Sequence, residues 1–499
     1  MYEATSSARA AFAAYIALTF LLAYLARRQS SGSGFLREFF IGGRTIGPWV
    51  LGLTWIATSA SGGTFIGAPS LGHAHGWSVM LWISGYIVVA TAGFGLLGRR
   101  IAELGERTGA LTFPDLLRDR FQSQLIGAIS GVAMLVLHAS SIVAQYIAGA
   151  RVLEVALGVP YDWGVASFAV VVAIYTAYGG FRAVAWTDSF QAIVMLFGVL
   201  LTAAFGLYKA GGMQAVHDGL AAQSPALLTP TGPDGFLPLS SAISFFFVWP
   251  LAVAGQPALI TRFLACKDTA SLRRASLLIG CYILLLYPAV IFVGILGRVL
   301  VPELAASDHA MPATIIAAVP SALAGLVLAA PMAAIMSTIS SYLLVAAASI
   351  TRDLYQRNVR APVSERRAKT VTHLSIALTG IAAGVFALRP PDYLQSIVIF
   401  AGTGLSATFL FPTLLAVFWT RMNRAGCMAG ILAGFLSFLL QYACLGTRSF
   451  FGVDPFVWSL AASMAACVLG SRAGRPDPRA LLAKYFSADE LSEPANSRS

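Results

Sequence analysis

Apolar residues occur along this chain in long blocks separated by short polar stretches. Thirteen blocks approach or exceed the length of a bilayer crossing: 10–26, 47–72, 76–98, 124–150, 163–181, 184–208, 238–261, 275–297, 313–351, 371–388, 393–420, 425–447 and 456–471. A crossing helix needs about 20 residues, because each residue rises about 1.5 Å. The pattern predicts an all-α polytopic membrane protein with about 13 transmembrane helices. Run 313–351 is too long for one crossing, and Pro320 predicts a short helix ahead of the spanning one. The first run ends on Arg27 and Arg28 rather than on a small-residue cleavage site, so it reads as a retained helix.

Composition agrees. The chain is 57% hydrophobic and 11% charged, whereas soluble domains carry roughly 25% charged residues. With the N-terminus outside, the segments between runs place 27 of the 33 Lys and Arg residues on the inner side and six on the outer side. That asymmetry predicts a cytoplasmic C-terminus in a bacterial inner membrane. It also accounts for the net charge of +11 without nucleic acid. Cys266, Cys281, Cys427, Cys444 and Cys467 have no paired spacing and read as inert. Residues 1–475 form one transmembrane domain, and residues 476–499 a polar cytoplasmic tail whose composition reads as disordered. Function therefore has to lie in the membrane core, and a monomer suffices for it.

Two runs look broken. In 47–72 the centre, Thr58 to Thr64, is built of small and hydroxyl residues around Gly62 and Gly63. In 238–261 the string FFFVWPLAVAGQPALI carries Pro250, Gly255 and Pro257. Both residue types weaken helices, and unwound backbone at membrane depth is tolerated only beside a cavity. The breaks open two five-helix blocks, 47–208 and 238–420, with 10–26, 425–447 and 456–471 as extra helices. Matching interruptions in two halves point to an inverted-repeat transporter with its site at the break; packing through small residues is the alternative.

Ser337 and Thr338 are adjacent hydroxyls on the otherwise apolar run 313–351. A hard cation such as sodium prefers oxygen ligands, and such hydroxyls with carbonyls freed by a break would supply them. Bonding back to their own helix is the alternative. Asp188 is the one carboxylate inside a predicted span, and no Lys or Arg lies in any. It reads as a coupling or gating group, or as a partner of Arg182 at the interface. His138 and His373 stand alone and read as packing residues. No cluster has transition-metal spacing, no nucleophile is set beside a base, and no phosphate-binding Gly loop occurs.

The strings GGRTIGPWV (42–50), YTAYGGFRAVAWTDSFQ (175–191), GQPALITRFLACKD (255–268) and AAIMSTIS (333–340) resemble those of the sodium:solute symporter family, in the right order and over nearly the whole chain. ATSASGGTFIGAPS (57–70), AQYIAGARVLE (144–154), LTPTGPDG (228–235), LGRVLVPEL (296–304) and LAAPMAAIMSTIS (328–340) are most like its sodium/pantothenate branch. The resemblance implies a five-plus-five, leucine-transporter-like core and Na+ as coupling ion. It implies a sodium site of backbone oxygens from Ala57, Ala60 and Ala334 with the hydroxyls of Ser337 and Thr338. Solute contacts are expected from Ser61, Gly62, Gly63 and Thr64 at the first break, Ser141 and Gln145 on 124–150, and Trp249 and Gln256 at the second. Trp249 as a core filler and Gln256 as a backbone cap are the alternatives. Proline-transporting members carry an aspartate where this chain has Ser59.

The reading is symport of sodium with a small organic solute, a monocarboxylate such as pantothenate in the first place. Proline or another amino acid, a sugar and sialic acid are alternative solutes. A membrane solute sensor is a rival of another class, but the tail is too short for an output domain. An integral membrane enzyme is a second rival, and it lacks a catalytic cluster.

Overall fold

The computed structural model describes residues 5–27, 34–89, 93–359, 362–390, 394–445 and 453–492. Arg28, Arg360, Arg448 and Arg498 of the charge count, and the tail beyond Ser492, lie outside the described residues.

Among the described residues the regular elements are helices, with a single bridge pairing Ile46 and Cys266. The helices used below are α1 (Ser6–Arg27), α2 (Pro48–Ser59), α3 (Ala68–His75), α4 (Ser78–Ile83), α5 (Arg99–Thr108), α6 (Phe113–Phe121), α7 (Gln124–Leu157), α8 (Tyr161–Lys209), α9 (Leu239–Ala254), α10 (Pro257–Ala265), α11 (Thr269–Leu300), α12 (Ala310–Ala318), α13 (Ser321–Ala348), α14 (Glu365–Ala387), α15 (Leu394–Phe418), α16 (Arg424–Leu445) and α17 (Pro455–Ala473). Nine described helical spans are long and apolar enough to cross a membrane, and the bent pair α9–α10 makes a tenth. The other predicted runs are the broken α2–α3, the short α4 with its continuation, and the first part of α8.

Helix limits follow the expected chemistry. Pro48 and Pro257 stand in the first turns of α2 and α10, where a missing N–H costs nothing. Pro320 separates α12 from α13 as expected. Gly180 takes φ 65°, a conformation costly for other residues, and kinks α8 between the predicted runs 163–181 and 184–208. Of the most apolar window of the α13 span, 83% is buried, against 28% for α1. The helix carrying Ser337 and Thr338 is thus the central post, with α1, α2, α7 and α8 packed around it.

The expectation of a disordered tail fails for its first part. Arg120 of α6 pairs with Asp477 at 2.7 Å and Arg100 of α5 with Glu490 at 2.9 Å. Leu482, Tyr485 and Phe486 are buried. Three apolar side chains and three ion pairs, the third between Lys484 and Asp119 at 2.6 Å, hold a segment whose average composition is polar; composition alone hides such spacing.

Candidate functional site

The first break follows Ser59, where Ala60 leaves the helical region at ψ 95°. Ending a helix strips its last carbonyls of amide partners. Two hydroxyls from α13 meet them. Ser337 Oγ donates to Ala57 O at 2.8 Å and to Ala334 O at 3.0 Å. Thr338 Oγ1 lies 3.3 Å from Ala57 O, 3.2 Å from Thr58 O and 3.5 Å from Ala60 O. Six buried oxygens therefore converge, four carbonyl and two hydroxyl, with no carboxylate among them. That donor set suits a hard monovalent cation. The five residues expected at the sodium site are together here, and the Thr58 carbonyl joins them.

Beside the break lies a cavity of about 40 Å³ lined by both broken helices, α7, α13 and α15. Of the expected solute residues, Ser61, Ser141, Gln145, Trp249 and Gln256 line it. Gly62 is tied to it through its N–H, which donates to Gln145 Oε1 at 2.8 Å. Gly63 and Thr64 line a smaller adjoining space instead. Sequence reasoning missed Tyr86, Tyr342 and Thr403, which also line the cavity but stand away from the two breaks, Tyr86 in the 3-10 continuation of α4, Tyr342 on α13 and Thr403 on α15. Trp249 packs edge-on to Trp82 and donates from its indole to the Trp82 carbonyl at 2.9 Å. It is therefore fixed core and cavity wall at once. Gln256 is the residue preceding α10 and caps it with backbone geometry, without a side-chain bond to the helix.

A second buried cluster lies one turn along α13. Thr54 donates to Asp188 Oδ2 at 2.6 Å, and Arg262 Nη2 stands 3.5 Å from the same oxygen. The Arg262 guanidinium also donates to Thr58 Oγ1, to Ser341 Oγ at 2.5 Å and to Ala258 O at 2.8 Å. Asp188 thus pairs with Arg262 and not with Arg182, which pairs with Glu38 at 2.8 Å. Arg262 follows the predicted span 238–261 by one residue, yet it is 1% exposed. Its charge is tolerated there because a carboxylate and several hydroxyls replace water. Thr58 belongs to both clusters, its carbonyl to the oxygen cage and its hydroxyl to the ion pair. His138 bonds the Met134 carbonyl at 2.8 Å and abuts Tyr342, a packing role as expected. His373 packs near Phe39.

The family described as "Sodium:solute symporter family" matches residues 39–434. The chain belongs to the sodium:solute symporter family. The symporter is 34% identical over 471 residues to the sodium/pantothenate symporter of Escherichia coli (strain K12), covering 94% of this chain and 96% of that one. To the sodium/pantothenate symporter of Haemophilus influenzae it is 33% identical, covering 92% and 95%. A sodium/proline symporter of Staphylococcus aureus (strain JH9) is 30% identical, covering 86% and 85%. Among solved structures, a substrate-bound, outward-open Na+-coupled sialic acid symporter superposes with a TM-score of 0.78 at 19% identity, covering 95% of this chain and 99% of that one. A nucleobase-cation-symport-1 family transporter in a closed conformation gives 0.58 at 18% identity, covering 91% and 97%.

The fold is accordingly the all-α, five-plus-five leucine-transporter-like core with two broken helices. The chain is a multi-pass membrane transporter, not an enzyme, and it couples sodium to the symport of a small solute.

Proposed function

We propose that this symporter imports a monocarboxylate, pantothenate in the first place, with one sodium ion. The supporting observation is the cage: two buried hydroxyls of α13 aimed at carbonyls that the first break frees, beside a cavity lined by both breaks. Sodium is held by the carbonyls of Ala57, Thr58, Ala60 and Ala334 and by Ser337 and Thr338, whose hydroxyl hydrogens turn away as the oxygens ligate. The solute sits against Ser61, Ser141, Gln145, Trp249 and Gln256, with Gly62, Gly63 and Thr64 of the broken segment above it. Among the described residues the cavity lining contains no charged side chain. A carboxylate is therefore held by hydroxyls and by amides at a broken-helix end, an arrangement that suits one compact anionic group.

The blocks 47–208 and 238–420 act as the two repeats. The N-terminus faces outward and the C-terminus the cytoplasm, as the 27 to 6 charge split indicates; a monomer contains every residue named. A space of about 40 Å³ holds a few waters and no organic solute, so loading requires α15 or the broken helices to move. Sodium ligation pins α2 to α13, and Thr58 carries that constraint to Arg262 and Asp188, the proposed inner gate. Each ligand then favours a different state, which is what coupling demands. The likeness to sodium/pantothenate symporters, greater than that to the proline relative, favours pantothenate. Ser59 in place of the proline carriers' aspartate agrees. Uptake of labelled pantothenate, proline, sialic acid, acetate and sugars into proteoliposomes under a sodium gradient tests the assignment. Accumulation of another member of the panel in place of pantothenate would overturn it.

A further inference from the structure

Adjoining the central cavity is a second space of about 20 Å³, with Ser61, Tyr86, Trp249 and Val398 common to both linings. Its lining carries two buried polar atoms: Gln395 Oε1, which has no hydrogen-bond partner among the described residues, and the Tyr287 hydroxyl, which has the Tyr86 and Thr64 hydroxyls beside it. Tyr287 is 3% exposed and Gln395 6%. The Tyr287 ring is held by stacking on Tyr86 at 4.1 Å. Gln395 lies over Gly67 of the first broken segment so closely that a Cβ there would stand 2.2 Å from its Oε1. Gly67 thus provides the room in which the amide is lodged. Leaving a buried polar group without a partner is costly, and native proteins rarely do so without a ligand or water to satisfy it.

We propose that Tyr287 and Gln395 form a distal subsite for a hydroxyl on an elongated solute whose carboxylate end sits in the central cavity. The chemistry is complementary. A phenol can donate or accept, and an amide oxygen only accepts. A solute hydroxyl placed between them accepts from Tyr287 and donates to Gln395, which gives the Gln395 oxygen the partner it lacks. The two spaces end to end favour a chain-like solute over a compact one such as proline. This inference rests on the pantothenate reading, since pantothenate carries its hydroxyls at the end opposite its carboxylate.

The test compares pantothenate with a pantothenate analogue lacking both hydroxyls, as substrates or competitors, in the unsubstituted protein and in Tyr287→Phe, Gln395→Leu and the double variant. In the unsubstituted protein, loss of the hydroxyls weakens binding by roughly tenfold or more, the usual consequence of leaving buried polar groups unpaired. In the double variant that discrimination disappears, while the half-saturating sodium concentration stays unchanged. The unchanged sodium dependence identifies a folded transporter, and a lone structural role for these residues would not erase a preference between two ligands. Pantothenate uptake that still discriminates the analogue in the double variant overturns the subsite alone. Absence of pantothenate uptake by the unsubstituted protein overturns the solute assignment and the subsite with it.

Discussion

Thr338→Ala removes one of the six oxygens around the proposed cation and leaves the apolar packing of α13 intact. Its hydroxyl is fully buried and reaches three carbonyls of the broken helix, at 3.2 to 3.5 Å. Ser337 remains on Ala57 O at 2.8 Å, so the cage is weakened and not abolished. One contact of this kind contributes about 1–2 kcal/mol, which translates to roughly five- to thirtyfold in the sodium concentration for half-maximal uptake. Ser337→Ala should act in the same direction, and the double variant more strongly than either. Thr338→Ser keeps the oxygen and should keep near-normal sodium dependence. Initial uptake rates into proteoliposomes, measured across sodium concentrations at fixed solute, read the effect. Normal half-saturation in the double variant would refute the cage and place the ion elsewhere.

The ion pair, the tail and the topology give further tests. Arg262→Met leaves Asp188 buried without its cation and should cost about 3–5 kcal/mol, whereas Arg262→Met with Asp188→Asn costs less; thermal unfolding of the purified protein ranks them, and a double variant less stable than both singles contradicts the pairing. Phe486→Ala should destabilise by about 3 kcal/mol because the ring is buried against the Arg120 guanidinium, 5.5 Å from the ring centroid; no change in melting would mean that the tail is not docked in the membrane-embedded protein. Reporter fusions at residue 365 and after the tail should both register cytoplasm, and a periplasmic signal at either would reverse the topology.

The helices were legible because lipid imposes a length and a polarity that few other environments impose. The breaks were legible because Gly62 and Gly63, and Gly255 and Pro257, cluster where the backbone leaves the helix, whereas Pro250 stands inside α9 without breaking it. Ser337 and Thr338 were visible as paired hydroxyls in an apolar run. Arg262 was not, because it stands just outside a hydrophobic run and resembles an interface residue. Its partner Asp188 is 74 positions away in sequence. A weaker signal was present in Thr54 and Thr58, two hydroxyls four residues apart on one face of α2, which mark a polar strip facing something charged. Tyr86, Tyr342 and Thr403 gave no signal, since an aromatic or hydroxyl residue away from a break is usually packing. The docked part of the tail was hidden by its average composition, although Leu482, Tyr485 and Phe486 fall three and four positions apart.

The most direct test of the central claim is pantothenate accumulation in proteoliposomes with the inward sodium gradient fixed and a potassium diffusion potential imposed or omitted. One sodium carried with one monoanion moves no net charge. The account therefore predicts accumulation that requires the sodium gradient and does not respond to voltage. Transport of one net charge would add about 2.3 kcal/mol per 100 mV, or roughly fiftyfold in accumulation. A voltage response of that size, or accumulation without a sodium gradient, would contradict the account.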